Sequence, residues 1–283
     1  MRILVAGKST KGAWPIRGEQ LGEAIGARVV PNAKAIEDCD VVIVVKRPKQ
    51  DLLERIKHYG APIVWDVVDS YPQPGALEWG KSACLHWLAL EVKRIKPIAI
   101  VAATKAMAAD CDFGVPVIAL EHHARMQKRI NPIRKNVEAV GYEGDERYLG
   151  KWQPFLEQEC KRRKWRFEIN PKSLADLDIV VALREARGYA ATQWKSNVKL
   201  ANAQASGTPI IMQRDAGYME TASGSEWLAD TEAEVLKALD EMATPDARDG
   251  SPRWLAANRM LPVAPKIEDV ADKYLQWLHQ LKF

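Results

Sequence analysis

Nowhere in these 283 residues do eighteen apolar residues follow one another, about the length that a membrane-spanning helix needs, so no membrane insertion is expected. The opening MRILVAG runs straight into a strand pattern with no cleavable signal before it, and a soluble, cytosolic protein is the expectation. Cysteine is scarce: Cys39, Cys84, Cys111 and Cys160 show no CxxC spacing, which argues against a zinc site or a disulfide frame. Two nucleotide fingerprints are missing as well. There is no G-x-x-x-x-G-K-[ST], and no G-x-G-x-x-G comes after the first strand, so the usual ATP and NAD readings lose their support. No repeat or low-complexity tract occurs.

What is present is alternation. Arg2–Ala6, Arg28–Val30, Val41–Val45, Ile63–Val67, Ala99–Ala102 and Pro116–Leu120 read as buried parallel strands. Helical patterns stand between them at Gly18–Ile25, Gln50–His58 and Ser82–Ile95. A second series has strands at Val137–Val140, Arg166–Glu168, Ile179–Leu183, Ile210–Met212 and Trp227–Ala229. Its helices lie near Glu146–Lys164, Ser196–Ser206 and Glu232–Met242, and Ala243–Pro252 reads as a polar, mobile turn. The pattern predicts an α/β chain of two Rossmann-like domains, 1–132 and 133–262, facing across a cleft, with ligand outside the carboxyl ends of the strands. A final amphipathic helix occupies 263–283. Net charge is +4, unevenly spread: residues 1–135 hold 21 basic against 14 acidic side chains (+7), and the remainder 20 against 23 (−3). Such asymmetry hints at an anionic partner for the first half.

The richest segment is Arg184–Glu220, which reads as strand end, loop, helix, glycine stop and strand. Ser196 is placed as an N-cap, the helix runs Asn197–Ser206, and Gly207 sits where a left-handed stop belongs. A first turn offering free N–H groups, Ser196, Asn197 and Lys199 suits a phosphate or diphosphate. Arg184, at the strand end, is placed either to grip that group or to pair with Asp178 or Glu185.

The same segment resembles the donor-binding half of GT-B glycosyltransferases. The likeness rests on Lys199, Leu200, Ala203, Ala205, Gly207 and Pro209 in a K-L-x-x-A-x-A-x-G-x-P pattern, with Gly217 and Glu220 after it. Asn202 stands where the retaining branch of that family carries a Glu that touches the donor ribose. The resemblance implies a UDP-sugar co-substrate with no bound cofactor or metal, Gly217 and Glu220 at the donor, and Lys11 and Gly12 in a first loop near donor and acceptor. It also implies a histidine of the cleft at His122 and a last helix that crosses back to the first domain.

Other candidates come from the residues themselves. Asp69, at the carboxyl edge of the fourth strand, is either a general base for an acceptor hydroxyl or the cap of the next turn. Arg17 either holds an anionic substrate or salt-bridges a carboxylate. His86 is expected to pack as a structural histidine. Glu121, His122 and His123 lack further ligands at metal spacing. Arg125, Lys128, Arg129, Arg134 and Lys135 crowd the linker, as either a polyanion contact or a solvated run. Taken with the resemblance, these suggest a metal-independent glycosyltransferase acting on a hydroxymethylated pyrimidine in DNA, as some small phage enzymes do in the host cytoplasm. The competing expectations are transfer to a glycan, lipid or small molecule, nucleotide-sugar epimerisation, and non-catalytic nucleotide-sugar binding.

Overall fold

A computed structural model describes residues 1–7, 13–69, 71, 78–125, 129–244 and 250–281. It contains two parallel sheets, and the chain divides into two compact units, each built on one of them.

The first unit comprises Met1–His123, Gly188–Ser196 and Lys266–Phe283. Its strands are β1 (Ile3–Gly7), β2 (Arg28–Pro31), β3 (Val41–Val45), β4 (Ile63–Val68), β5 (Ala99–Ala102) and β6 (Val117–Ala119), in the spatial order β2-β1-β3-β4-β5-β6. Both faces are covered, which is why these strands are continuous apolar runs rather than alternating ones. Leu4, Val42, Val44, Trp65 and Ile100 bury one face. Val5, Ile43, Val64 and Val101 bury the other, where Val270, Ala271, Tyr274 and Leu278 of the helix Ile267–Gln280 complete the layer.

The second unit comprises Ala124–Arg187 and Asn197–Pro265. It carries β7 (Ala139–Tyr142), β8 (Arg166–Ile169), β9 (Ile179–Ala182), β10 (Ile210–Met212) and β11 (Trp227–Leu228), ordered β8-β7-β9-β10-β11. In each sheet the order reverses at the first strand of the unit, between β1 and β3 and between β7 and β9, and folds of this kind bind ligands beyond the carboxyl ends of the strands at such a reversal.

This division differs from the boundaries expected at 132 and 262. Asn131 is built into the second unit: its amide donates to the Leu177 carbonyl at 2.7 Å and to Thr208 at 3.1 Å, and its backbone N–H to Ser206 at 2.8 Å. The linker therefore folds as part of the second unit. Counted by unit, the first carries 20 basic and 17 acidic side chains (+3) and the second 21 and 20 (+1). Most of the +7 against −3 split belongs to chain order and not to the folded units.

The segment Gly188–Ser196 lies in sequence between β9 and the helix Val198–Ser206 yet folds with the first unit. Asp110 fastens it: one carboxylate oxygen accepts from both the Tyr189 hydroxyl and the Trp194 indole at 2.8 Å. Thr104, which caps the helix Lys105–Asp110, also donates to the Gln193 carbonyl at 2.7 Å. A helix at Pro252–Met260, capped by Ser251 with proline in its first turn, comes after the region read as a polar turn. His86, expected to be packed, lies exposed on its helix instead, because Cys84 and Leu88 take the buried face.

Candidate functional site

The carboxyl edge of the first sheet gathers most of that unit's buried charge. Arg17, in the π-helical stretch Trp14–Gln20, donates to both oxygens of Asp66 at 2.9 and 3.2 Å, and to the carbonyls of Leu120 and Glu121. Both side chains are buried. Of the two readings of Arg17, the carboxylate salt bridge is the contact that the structure displays, and it ties the first helix to β4 and to the end of β6.

Asp69, just past β4, is held from both sides. Lys46 Nζ, at the end of β3, lies 3.0 Å from Oδ1, and Lys195 Nζ donates to Oδ2 at 2.6 Å. Burial pushes this carboxyl up, but the two ammonium charges outweigh it and hold it well below the usual carboxylate range. A carboxylate so held is a weak proton acceptor. The backbone here is unusual: Lys46 has φ +65° and Val68 +58°, and the β4–β5 register shifts between Asp66 and Val68. A β-branched residue in the left-handed region costs on the order of 1–3 kcal/mol and persists where its surroundings overdetermine it. Here the Trp65 indole donates to the Lys46 carbonyl at 2.6 Å, and the Lys46 N–H to the Asp66 carbonyl at 2.8 Å. The bulge re-aims Asp69 toward the lysines.

His122, directly beyond β6, is fully buried. Burial, reinforced by the Arg17 charge and opposed by Asp69, keeps its pKa well below the ordinary histidine value, so the ring is a neutral imidazole. His123, bonded to Gln20 at 2.9 Å, is lowered by burial to about 4.

The second sheet presents a different edge. The Lys199 side chain, from the first turn of the helix Val198–Ser206, lies over the Tyr142 ring with Nζ 3.6 Å from its centroid. It reaches the end of β7, where Gly144 adopts φ +138° and a Cβ would sit 3.0 Å from that Nζ. Glycine therefore keeps the lysine's path open. Beyond β9, the Arg184 backbone is clamped by Gln213, which donates to its carbonyl at 3.1 Å and accepts from its N–H at 2.8 Å. The Arg184 guanidinium lies 3.5 Å from Asp215 and 3.4 Å from the Tyr218 hydroxyl. The carboxylate described beside it is that of Asp215. Glu143 accepts from Asn202 at 2.8 Å and from Arg125 at 2.7 Å.

Several expectations need correction. Asn197, not Ser196, stands at the helix N-cap, with backbone geometry and no capping side chain. Ser196 is the last residue of the strap Gly188–Ser196. Gly217 lies within the short helix Ala216–Met219, and Glu220 stands at the C-cap of that helix. In the linker, Arg125 pairs with Glu143, Arg129 with Asp176 at 2.7 Å and Arg134 with buried Asp178 at 3.0 Å, while Lys135 is exposed. These arginines are already engaged by carboxylates, against their reading as a phosphate-facing patch. Lys11, Gly12 and Lys128 lie outside the described residues. Among the described residues no three His, Cys, Asp or Glu side chains gather as a metal site, and no helix is long and apolar enough to cross a membrane.

Sequence reasoning missed Lys46, Lys195, Tyr142 and Gly144. Lys46 comes directly after the run Val41–Val45, and that position at a strand's carboxyl end was a usable signal. Lys195 is 126 residues from its partner, with no local pattern to link them.

No protein-family model and no curated protein matches the chain. Solved structures do. The Anabaena protein HepE, in complex with UDP and glucose, superposes with a TM-score of 0.66 at 12% identity, covering 99% of this chain and 100% of that one. The fold is of the GT-B type. Trehalose-6-phosphate synthase OtsA matches with a TM-score of 0.58 at 12% identity, over 87% of this chain and 73% of that one. A UDP-forming α,α-trehalose-phosphate synthase from Burkholderia vietnamiensis gives 0.57 at 11%, over 85% and 73%. Likeness at such identity is likeness of fold, and it agrees with the α/β architecture of two parallel sheets expected from the sequence.

Proposed function

We propose that this chain is a glycosyltransferase: its second unit binds a UDP-sugar, and its first binds the hydroxyl-bearing acceptor. The observation that carries this reading is the grouping at the switch point of the second sheet, where Lys199 lies over Tyr142 beside Gly144 and the Arg184 charge acts on the same tyrosine, on a fold that also serves a UDP-binding protein along its full length. Lys199, Arg184 and the N–H groups at the start of Val198–Ser206 stabilise the charge that develops on the departing UDP. We assign His122 as the base for the acceptor hydroxyl on its position alone: burial keeps the ring in the neutral form that accepts a proton, and by lowering its pKa also weakens it as a base. Asp69, held as a carboxylate by two ammonium groups, organises that edge.

The acceptor we favour is a small molecule or glycan. Two features weigh against a hydroxymethylated base in DNA: the linker arginines are paired with carboxylates, and the two units differ little in net charge. Incubation with a panel of UDP-sugars and candidate acceptors, including modified and unmodified DNA, tests the reading. Sugar transfer to a carbohydrate acceptor supports it. Epimerised donor with no acceptor present, or UDP bound and no donor ever turned over, refutes it.

A further inference from the structure

One side chain captures the turn that follows β7. Asn170, the residue after β8, donates from its amide to the Gly144 carbonyl at 2.9 Å and accepts from the Gly144 N–H at 2.8 Å. Its own N–H donates to the Tyr142 carbonyl at 2.8 Å. Both polar groups of Gly144, and the carbonyl two residues before it, are thus tied to the end of the neighbouring strand.

The residue types fit the place. Asn170 has φ +55°, a left-handed conformation that asparagine tolerates better than most side chains. Its amide carries one donor group and one acceptor, as gripping a glycine from both sides requires. Gly144 has φ +138°, and glycine is the residue with the most backbone freedom to lose. The grip of Asn170 removes that freedom.

What the turn touches is Lys199. A Cβ at Gly144 would lie 3.0 Å from Nζ, 3.4 Å from Cε and 3.2 Å from the Tyr142 hydroxyl, so the glycine forms one wall beside the lysine. The Tyr142 ring forms another, with Nζ 3.6 Å from its centroid. That ring is itself pinned, since its hydroxyl donates to the Asp145 carbonyl at 3.3 Å. Burial pushes the Tyr142 pKa up, so the ring is a neutral phenol, whose face attracts an ammonium and orients it.

We propose that Asn170 is a positioning residue for the donor: by fixing Gly144 it sets Lys199 against the Tyr142 ring, and so places the ammonium for the diphosphate. The diphosphate rests on the function proposed above; the placement of Lys199 by Asn170 does not.

UDP is titrated calorimetrically into the full-length wild type, Asn170→Gly, Lys199→Met and the double variant. Asn170→Gly permits the left-handed backbone and removes the amide, and it is expected to weaken UDP about three- to tenfold, the scale of a net hydrogen bond. In the Lys199→Met background the same change should weaken UDP no further, because the two residues act as one unit. Gly144→Ala brings a methyl against the ammonium and should weaken UDP more than Asn170→Gly does. Unchanged UDP affinity in Asn170→Gly, or a loss that simply adds to that of Lys199→Met, overturns the role. The placement of the lysine is also read without ligand: the Lys199 ε-methylene protons, held beside the Tyr142 ring, should resonate upfield by NMR and return in Asn170→Gly and in Tyr142→Leu. If UDP does not bind the wild type, the donor reading falls and this signature decides the placement; an upfield shift that persists in Asn170→Gly overturns it.

Discussion

The two sheets share a strand order over five strands, the first adding β6 at its edge, and differ in what they place at their carboxyl edges. The first closes its edge with ion pairs: Arg17 on Asp66, two lysines on Asp69 and a neutral His122 behind them. The second leaves a glycine at the end of β7 and lays a lysine across an aromatic ring. Topology fixes where a ligand goes. The residues beyond the strand ends fix what kind it is; the function proposed above takes the first edge for a hydroxyl acceptor and the second for a diphosphate.

The largest expected break is on the first side. Removing one partner of a buried ion pair strands the other, so Arg17→Ala should cost about 3–5 kcal/mol of stability. Urea denaturation checks this, and a loss under about 1 kcal/mol would mean that the pair is not the fastening we describe. On the second side, Lys199→Ala should weaken UDP by roughly 1.5–3 kcal/mol, read by calorimetry; unchanged affinity removes this lysine from the donor site.

The histidines sharpen the contrast through pH. Both His122 and His123 have folded pKa values below their unfolded value of about 6.5, with His123 at about 4. Below about pH 6.5 the unfolded chain binds protons that the folded one does not, so stability is full above that pH and falls as the solution is acidified. Each histidine contributes a slope of up to about 1.4 kcal/mol per pH unit. Asp69, whose folded pKa is also depressed, adds its loss only below about pH 4. Urea midpoints measured from about pH 7.5 to about 4.5 should decline, and His123→Gln should flatten the decline; a flat wild-type profile contradicts the burial of both rings. The smallest effect is expected at the linker. Arg129 and Asp176 form an exposed pair, and Arg129→Ala should cost no more than about 1 kcal/mol. A steep loss of DNA binding in that variant, seen by titration at low salt, would restore the polyanion reading.

Legibility in the sequence tracked locality. The strands could be read because parallel strands buried on both faces leave unbroken apolar runs such as Val41–Val45, and the helix ending at Gly207 because its stop is a residue that tolerates φ +64°. The cap was misplaced by one residue, since Ser196 has the composition of a cap while the backbone turns at Asn197. The helix Pro252–Met260 had a readable start in Ser251–Pro252, hidden by the polar run before it. The pairings Arg17–Asp66, Lys46–Asp69 and Lys195–Asp69 had no such local mark. Their partners meet only because separate strands end at one edge, and the strap Gly188–Ser196 has no period that would announce which unit it joins.

The chain's path also sets an order of completion during synthesis. The second unit has all its residues once Pro265 is made, whereas the first still lacks Lys266–Phe283. Until the helix Ile267–Gln280 arrives, the face of the first sheet lined by Val5, Ile43 and Val101 has no Tyr274 or Leu278 to cover it. Domains commonly finish from the amino end as they emerge; here the unit that begins first closes last. A nascent chain halted before the final helix therefore displays an open apolar sheet face to the chaperones of the cell.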